Sequence, residues 1–137
     1  FDPQKLHAFF GETWPNVIRA KGHFWIATRP DWVGEFSLAG AMAQTRPLGR
    51  WWAAVPRENW PGDAEDHARM RRNWDPVFAD RRQELVFIGA KDAMSVGRIT
   101  AMLDACLIGQ AASPRFAPQD WAHLPDPFPV WGAARAA

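Results

Sequence analysis

The sequence predicts an α/β fold of the α+β kind, built around antiparallel strands. Three observations predict it. Apolar stripes at helical spacing stand near both ends, Leu6, Phe9 and Phe10 in one and Ile99, Met102, Leu103, Cys106 and Leu107 in the other. The extended segments between them are joined by short turns, which favours antiparallel pairing. Leu85 to Ile88 is a short, unbroken apolar run stopped by Gly89, the pattern of a central strand covered on both faces.

Phe1 to Trp14 reads as a helix. Asp2 is placed to cap it, Pro3 takes the first position, where a missing N–H costs nothing, and Phe1 can staple onto Leu6. Gly11 and Pro15 stop it. Val17 to Thr28 reads as a strand, with a kink or bulge expected at Lys21-Gly22 and with Arg19, Lys21 and His23 on its polar face. After a turn at Arg29-Pro30-Asp31, Val33 to Ala43 is a second strand, with Phe36 and Leu38 on one face and Glu35 and Ser37 on the other. Pro47-Leu48-Gly49 is read as a turn and Arg50 to Val55 as a third strand, closed by Pro56. In it Trp51 and Trp52 must point to opposite faces, one to the core and one to a covering layer or an interface.

Asn59 to Asn73 is polar, a surface helix or loop. Asp63 is its cap, Glu65 and Asp66 lie in its first turn, and Arg69, Arg71 and Arg72 in its last, matching the macrodipole. Asp75-Pro76 has the form of a further helix start. Asp80, Arg81, Arg82 and Glu84 then form a polar knot before the fourth strand. It reads either as a small charged site or as ion pairs and carbonyl contacts that fix how the chain enters the sheet; with no nucleophile or base nearby, the second reading is preferred. Ser95 caps the last helix and Gly109 ends it. Cys106 falls on that helix's apolar stripe, the place of a core thiol rather than a nucleophile. The expected division is a domain over 1–109 and a Pro- and Trp-rich extended tail over 110–137, anchored by Trp121, Leu124, Phe128 and Trp131.

Composition excludes several classes. A net charge of +1 over 137 residues gives no bulk attraction for nucleic acid or an anionic membrane. No apolar run approaches the ~20 residues of a membrane helix. One cysteine rules out an internal disulfide and a cysteine-rich zinc site and fits a reducing, cytoplasmic setting. His7, His23, His67 and His123 are too scattered to form a cluster, and His7, His67 and His123 are expected to be solvated. No P-loop, dinucleotide-binding, HExxH, CxxC or GxSxG motif is present. The sequence therefore predicts no catalytic, cofactor or metal residue in this chain. Nine Trp without a Tyr predict many half-buried indoles at edges and interfaces, since each N–H needs a partner. The chain opens at a helix start without Met, which predicts a fragment whose remainder lies upstream.

Several segments, in order, resemble one family. They are Val17 to Arg29 (VIRAKGHFWIATR), Gly40, Trp51-Trp52-Ala53, Trp74-Asp75-Pro76, Asp80 to Gly89 (DRRQELVFIG), Leu103-Asp104-Ala105-Cys106-Leu107 and Leu124 to Trp131 (LPDPFPVW). Together they are similar to the C-terminal domain of CobW-like GTPases, the nucleotide-dependent metal chaperones and insertases, and the tail to the subgroup associated with zinc. The resemblance implies a two-layer sandwich, a mostly antiparallel sheet of about four strands with helices packed on one face. It also implies an N-terminal GTPase half carrying the P-loop, the magnesium site and a cysteine metal motif. None of those residues has a counterpart here, so GTP, magnesium and zinc are expected of that half and not of this chain. Position 23 is often aromatic in the family; here it is His23.

The resemblance thus implies an accessory domain of a metallochaperone GTPase, partnered by the GTPase half and by a metalloprotein client. The edge strand, the Arg19, Lys21 and His23 face, and Trp52, Trp121 and Trp131 are the candidate contact surface. On that face, an anionic-group or metal site competes with an ordinary sheet face meeting solvent, and three cationic groups make a poor metal cage. The alternative class is a stand-alone module that binds nucleic acid or another ligand on a sheet face, with Trp stacking and Arg or Lys neutralising phosphates. The near-neutral charge argues against it.

Overall fold

A computed structural model describes residues 1–108 and 118–132. Four strands form one antiparallel sheet in the order β3-β2-β1-β4: β1 (Val17–Phe24), β2 (Trp32–Ala39), β3 (Met42–Arg50) and β4 (Glu84–Gly89). Helices α1 (Pro3–Phe10) and α3 (Val96–Ala105) pack on one face of it, and α2 (Ala64–Met70) belongs to the long excursion from β3 to β4. This is the predicted α+β architecture.

Helix α1 starts as its sequence dictates. The Asp2 carboxylate accepts from the Lys5 N–H at 3.0 Å, and Leu6, Phe9 and Phe10 are buried. It ends at Phe10, four residues short of the expected Trp14, because Gly11 already takes the C-cap. Phe10 lies stacked on Phe36 of β2, ring centroids 4.0 Å apart, and tilted against Phe24 of β1 at 5.2 Å. In α3, Ser95 caps the Arg98 N–H and Ile99 and Cys106 turn inward. The Cys106 thiol donates to the Met102 carbonyl, and burial pushes its pKa up, as suits a core thiol. The terminator expected at Gly109 lies outside the described residues.

Three expectations need correction. The third strand is not Arg50 to Val55 but Met42–Arg50, which runs through the Pro47-Leu48-Gly49 stretch read as a turn. Pro47 is tolerated there because β3 is an edge strand with a bulge opposite Val33-Gly34. The turn itself is Gly40-Ala41, with Gly40 at φ +59. After β3 the chain bends into a one-turn 3-10 segment, Trp52–Ala54, because the Asp80 carboxylate accepts from the Trp52 and Ala53 N–H groups at 2.7 and 3.1 Å.

Second, Asp75-Pro76 starts no helix. Asp75 Oδ1 accepts from the Val77 and Phe78 N–H groups, both at 2.8 Å, and Asp75 and Ala79 exchange backbone hydrogen bonds. The amides of Phe78 and then Val77 hold the Asp75 carboxyl below its ordinary range. The polar knot is a clasp: Asp80 bonds the turn after β3, while Arg81 donates to the Pro30 carbonyl at 2.5 Å and lies 3.6 Å from Asp31.

Third, β4 is not central. It is an edge strand whose Leu85 and Phe87 face the core while Val86 and Ile88 are 55% and 56% exposed. Smaller adjustments follow the same logic. The β1 bulge sits at Val17–Arg19 rather than at Gly22. His67 is half-buried against Trp60 (5.4 Å) instead of solvated.

The described part of the tail is fastened to the domain. Phe128 and Trp131 are buried in the main core beside Phe24. Arg29 holds this stretch: it donates to both Asp126 carboxylate oxygens (2.8 and 2.9 Å) and to the Phe128 and Pro129 carbonyls (2.8 and 2.5 Å), and its guanidinium lies 4.6 Å from the Trp131 ring centroid. Thr28 adds a further hydrogen bond to Asp126 at 2.5 Å.

Candidate functional site

The strand alternation that sends Ala20, Phe24, Phe36 and Leu38 into the core sends another set to the opposite face. Cross-strand register arranges that set in rows. One row reads Arg46, Glu35, His23, Glu84, the next Gln44, Ser37, Lys21, Val86, and the third Met42, Ala39, Arg19, Ile88. The alternation therefore holds through Gly22, and Arg19, Lys21 and His23 share one column. Both helices that pack on the sheet pack on the other side.

The charges on this face are organised around Glu35, which is only 8% exposed. Lys21 Nζ lies 3.3 Å from one of its oxygens, and Arg46 Nε donates to the other. The Arg46 hydrogen bond, with help from Lys21, outweighs burial and holds the Glu35 carboxyl below its ordinary range. The sequence puts Glu35 on the polar side of the second strand but not its partner, because Arg46 falls between the strand read over Val33 to Ala43 and the turn read at Pro47-Leu48-Gly49, whereas it stands in β3 opposite Glu35.

His23 stands beside Trp51, edge to face at 6.0 Å. Burial lowers its pKa, Arg82 adds to the shift, and Glu84 opposes it. A neutral imidazole at pH 7 follows. Among the described residues it has no metal-ligand partners: Glu35 is already committed to two cations. Among the described residues no group of three His, Cys, Asp or Glu could hold a metal ion. The described residues do not fit a zinc site, and no helix among them is long and apolar enough to cross a membrane.

The structure brings Arg19, Lys21 and His23 together but not the three tryptophans named with them. Trp52 is 38% exposed on the turn after β3, near Trp60. Trp121 is buried in a second cluster with Trp25, Ala27 and Trp51, and Trp131 in the main core. Sequence reading missed Val86 and Ile88 as exposed members of the face. Their alternation with Leu85 and Phe87 is invisible in a run where every residue is apolar. It also missed the Arg29–Asp126 clasp; the one hint was an isolated carboxylate in a proline-rich apolar stretch.

The face is thus a mixed surface: charges neutralised around Glu35, an exposed Arg19 that makes no ion pair among the described residues, and an uncovered aliphatic pair on an edge strand. Comparison with known proteins gives the family. The profile described as the cobalamin synthesis protein cobW C-terminal domain matches residues 1–107. A protein named zinc-regulated GTPase metalloprotein activator 1, from Dictyostelium discoideum, is 36% identical over 108 residues, covering 79% of this chain and 22% of that protein. A Mycobacterium tuberculosis protein named as a zinc chaperone is 30% identical over 133 residues, covering 96% of this chain and 32% of its own length. The chain thus spans no more than about a third of these relatives. No solved structure matches it significantly.

Proposed function

The chain belongs to the CobW C-terminal domain family, and from that premise we propose that it is the accessory domain of a GTP-dependent metallochaperone of the zinc type. The observation that carries this reading is the family match over residues 1–107, supported by relatives whose names speak of zinc and of a GTPase. In this reading the GTP, magnesium and zinc chemistry belongs to an N-terminal half outside this chain, in a cytoplasmic protein that serves a metalloprotein client. The domain itself performs no catalysis. Its open sheet face, with Arg19, Lys21, His23, Val86 and Ile88, packs on the GTPase half. An aliphatic pair left uncovered on a small domain fits a face that another body covers.

The test is to produce the chain together with the polypeptide encoded upstream of Phe1 in its source. A P-loop and a cysteine motif are expected there, along with hydrogen-exchange protection of β4 that the chain alone lacks. Arg19→Glu should weaken that protection and leave the fold of the isolated chain unchanged. A start codon close to Phe1, or β4 amides equally unprotected in both forms, would overturn the reading.

A further inference from the structure

A second feature stands whether or not the accessory-domain reading holds. Between the β1–β2 loop, the Phe78 turn and the tail is a cavity of about 240 Å³. Most of its wall is aromatic or aliphatic, with Phe1, Trp25, Phe78, Trp121 and Leu107, and Gln83 and two arginines supply the polar part. The Trp25 and Phe78 rings lie 5.9 and 6.3 Å from Trp121, the latter stacked. Two buried polar atoms in the residues lining it have no hydrogen-bond partner among the described residues, Trp121 Nε1 and Gln83 Oε1. Trp121 is more than nine-tenths buried. Arg82, also lining the cavity, is exposed and makes no ion pair among the described residues, whereas Arg81 beside it is occupied by Pro30 and Asp31.

Buried polar atoms without partners cost free energy, so a donor and an acceptor orphaned at one cavity need explanation. A single water could serve both but fills only roughly 30 Å³, and apart from Gln83 and the arginines the walls give further waters little to bond. A secondary amide carries an acceptor and a donor on adjacent atoms, one for the Trp121 indole N–H and one for Gln83. An apolar side chain next to that amide would fill the walls, and a carboxylate would meet Arg82. We infer that this cavity receives one residue of a polypeptide partner: a large apolar side chain with its own backbone amide, followed by a carboxylate, either an acidic side chain or a chain terminus.

The test uses N-acetyl-leucine, which carries all three groups, titrated at millimolar concentration into the ¹⁵N-labelled chain. The Trp121 indole N–H, assigned with Trp121→Phe, should move saturably. N-acetyl-alanine, which cannot fill the walls, should leave it in place. Arg82→Gln should weaken binding about 2–5-fold, the range expected for an exposed charge pair. N-acetyl-leucinamide should bind the unaltered chain more weakly by a similar factor and be indifferent to that substitution. The inference is overturned if the Trp121 resonance stays still with N-acetyl-leucine, if N-acetyl-alanine moves it equally, or if Arg82→Gln changes nothing. It is also overturned if the free protein already shows close proton contacts from the Trp121 indole N–H to residues 109–117, because the chain would then be its own occupant.

Discussion

The two faces of the sheet are made by the same strands and obey different physics. On the helix side Phe24 and Phe36 are fully buried, and Phe10 lies flat on Phe36. On the other side the register lines up charges, satisfied by one buried glutamate, beside an aliphatic pair open to water. One residue of shift along a strand separates the two environments. The helix side holds the fold together, and the open side is free to be used.

Substitutions that respect this division should separate cleanly. The largest effect is expected on the helix side. Phe36→Ala should lower stability by about 3–5 kcal/mol, seen as a fall in the urea midpoint, because the Phe10 ring loses its stacking partner and a cavity remains. A loss under about 1 kcal/mol would mean that the core collapses around the gap and that the face is not close-packed. Next comes the clasp that closes the same side. Asp126→Ala leaves the Arg29 guanidinium without its carboxylate and should cost about 1–3 kcal/mol. It should also release Trp131, read as a red shift in tryptophan emission. An unchanged spectrum would show that Phe128 and Trp131 hold the tail without the ion pair.

On the open side the effects should be smaller. Because Glu35 is held below its ordinary pKa in the folded state, its contribution is present above the ordinary carboxylate range. That contribution is lost as pH falls through the depressed value. The stability difference between the wild-type chain and Glu35→Gln should therefore be present at neutral pH and vanish in acid. A difference that persists in acid would assign the effect to packing. Smallest of all, Val86→Thr with Ile88→Thr should change stability by less than about 0.5 kcal/mol. A larger loss would mean that this face is covered in the isolated chain.

Elements whose signals are local were legible in the sequence. The Asp2-Pro3 start of α1 and the Asp63 cap of α2 are written in adjacent residues, and Asp63 forms a full capping box with Asp66. The alternation of Arg19, Lys21 and His23 could be read through Gly22. Elements fixed by distant partners were not legible. Arg50 to Val55 has the composition of a strand, but Asp80 claims the N–H groups it would have offered to a ladder. The apolar run of β4 says that two faces could be buried, and only the strand order decides that one is not. The Gln83 and Trp121 orphans likewise appear only once residues far apart in sequence share a cavity.

The order β3-β2-β1-β4 also has a consequence in time. Strands β1, β2 and β3 follow one another as a meander and can zip up through short loops. Strand β4 reaches β1 only after the chain has travelled from one edge of the sheet to the other, and Asp126 reaches Arg29 across 97 residues. Long closures are entropically expensive before their contacts form, so the meander is the part that assembles early, and β4 and the tail arrive last. Until they do, Phe24 lacks Phe128 and Trp131 over it, and the nascent domain is stickiest on the side that ends up driest.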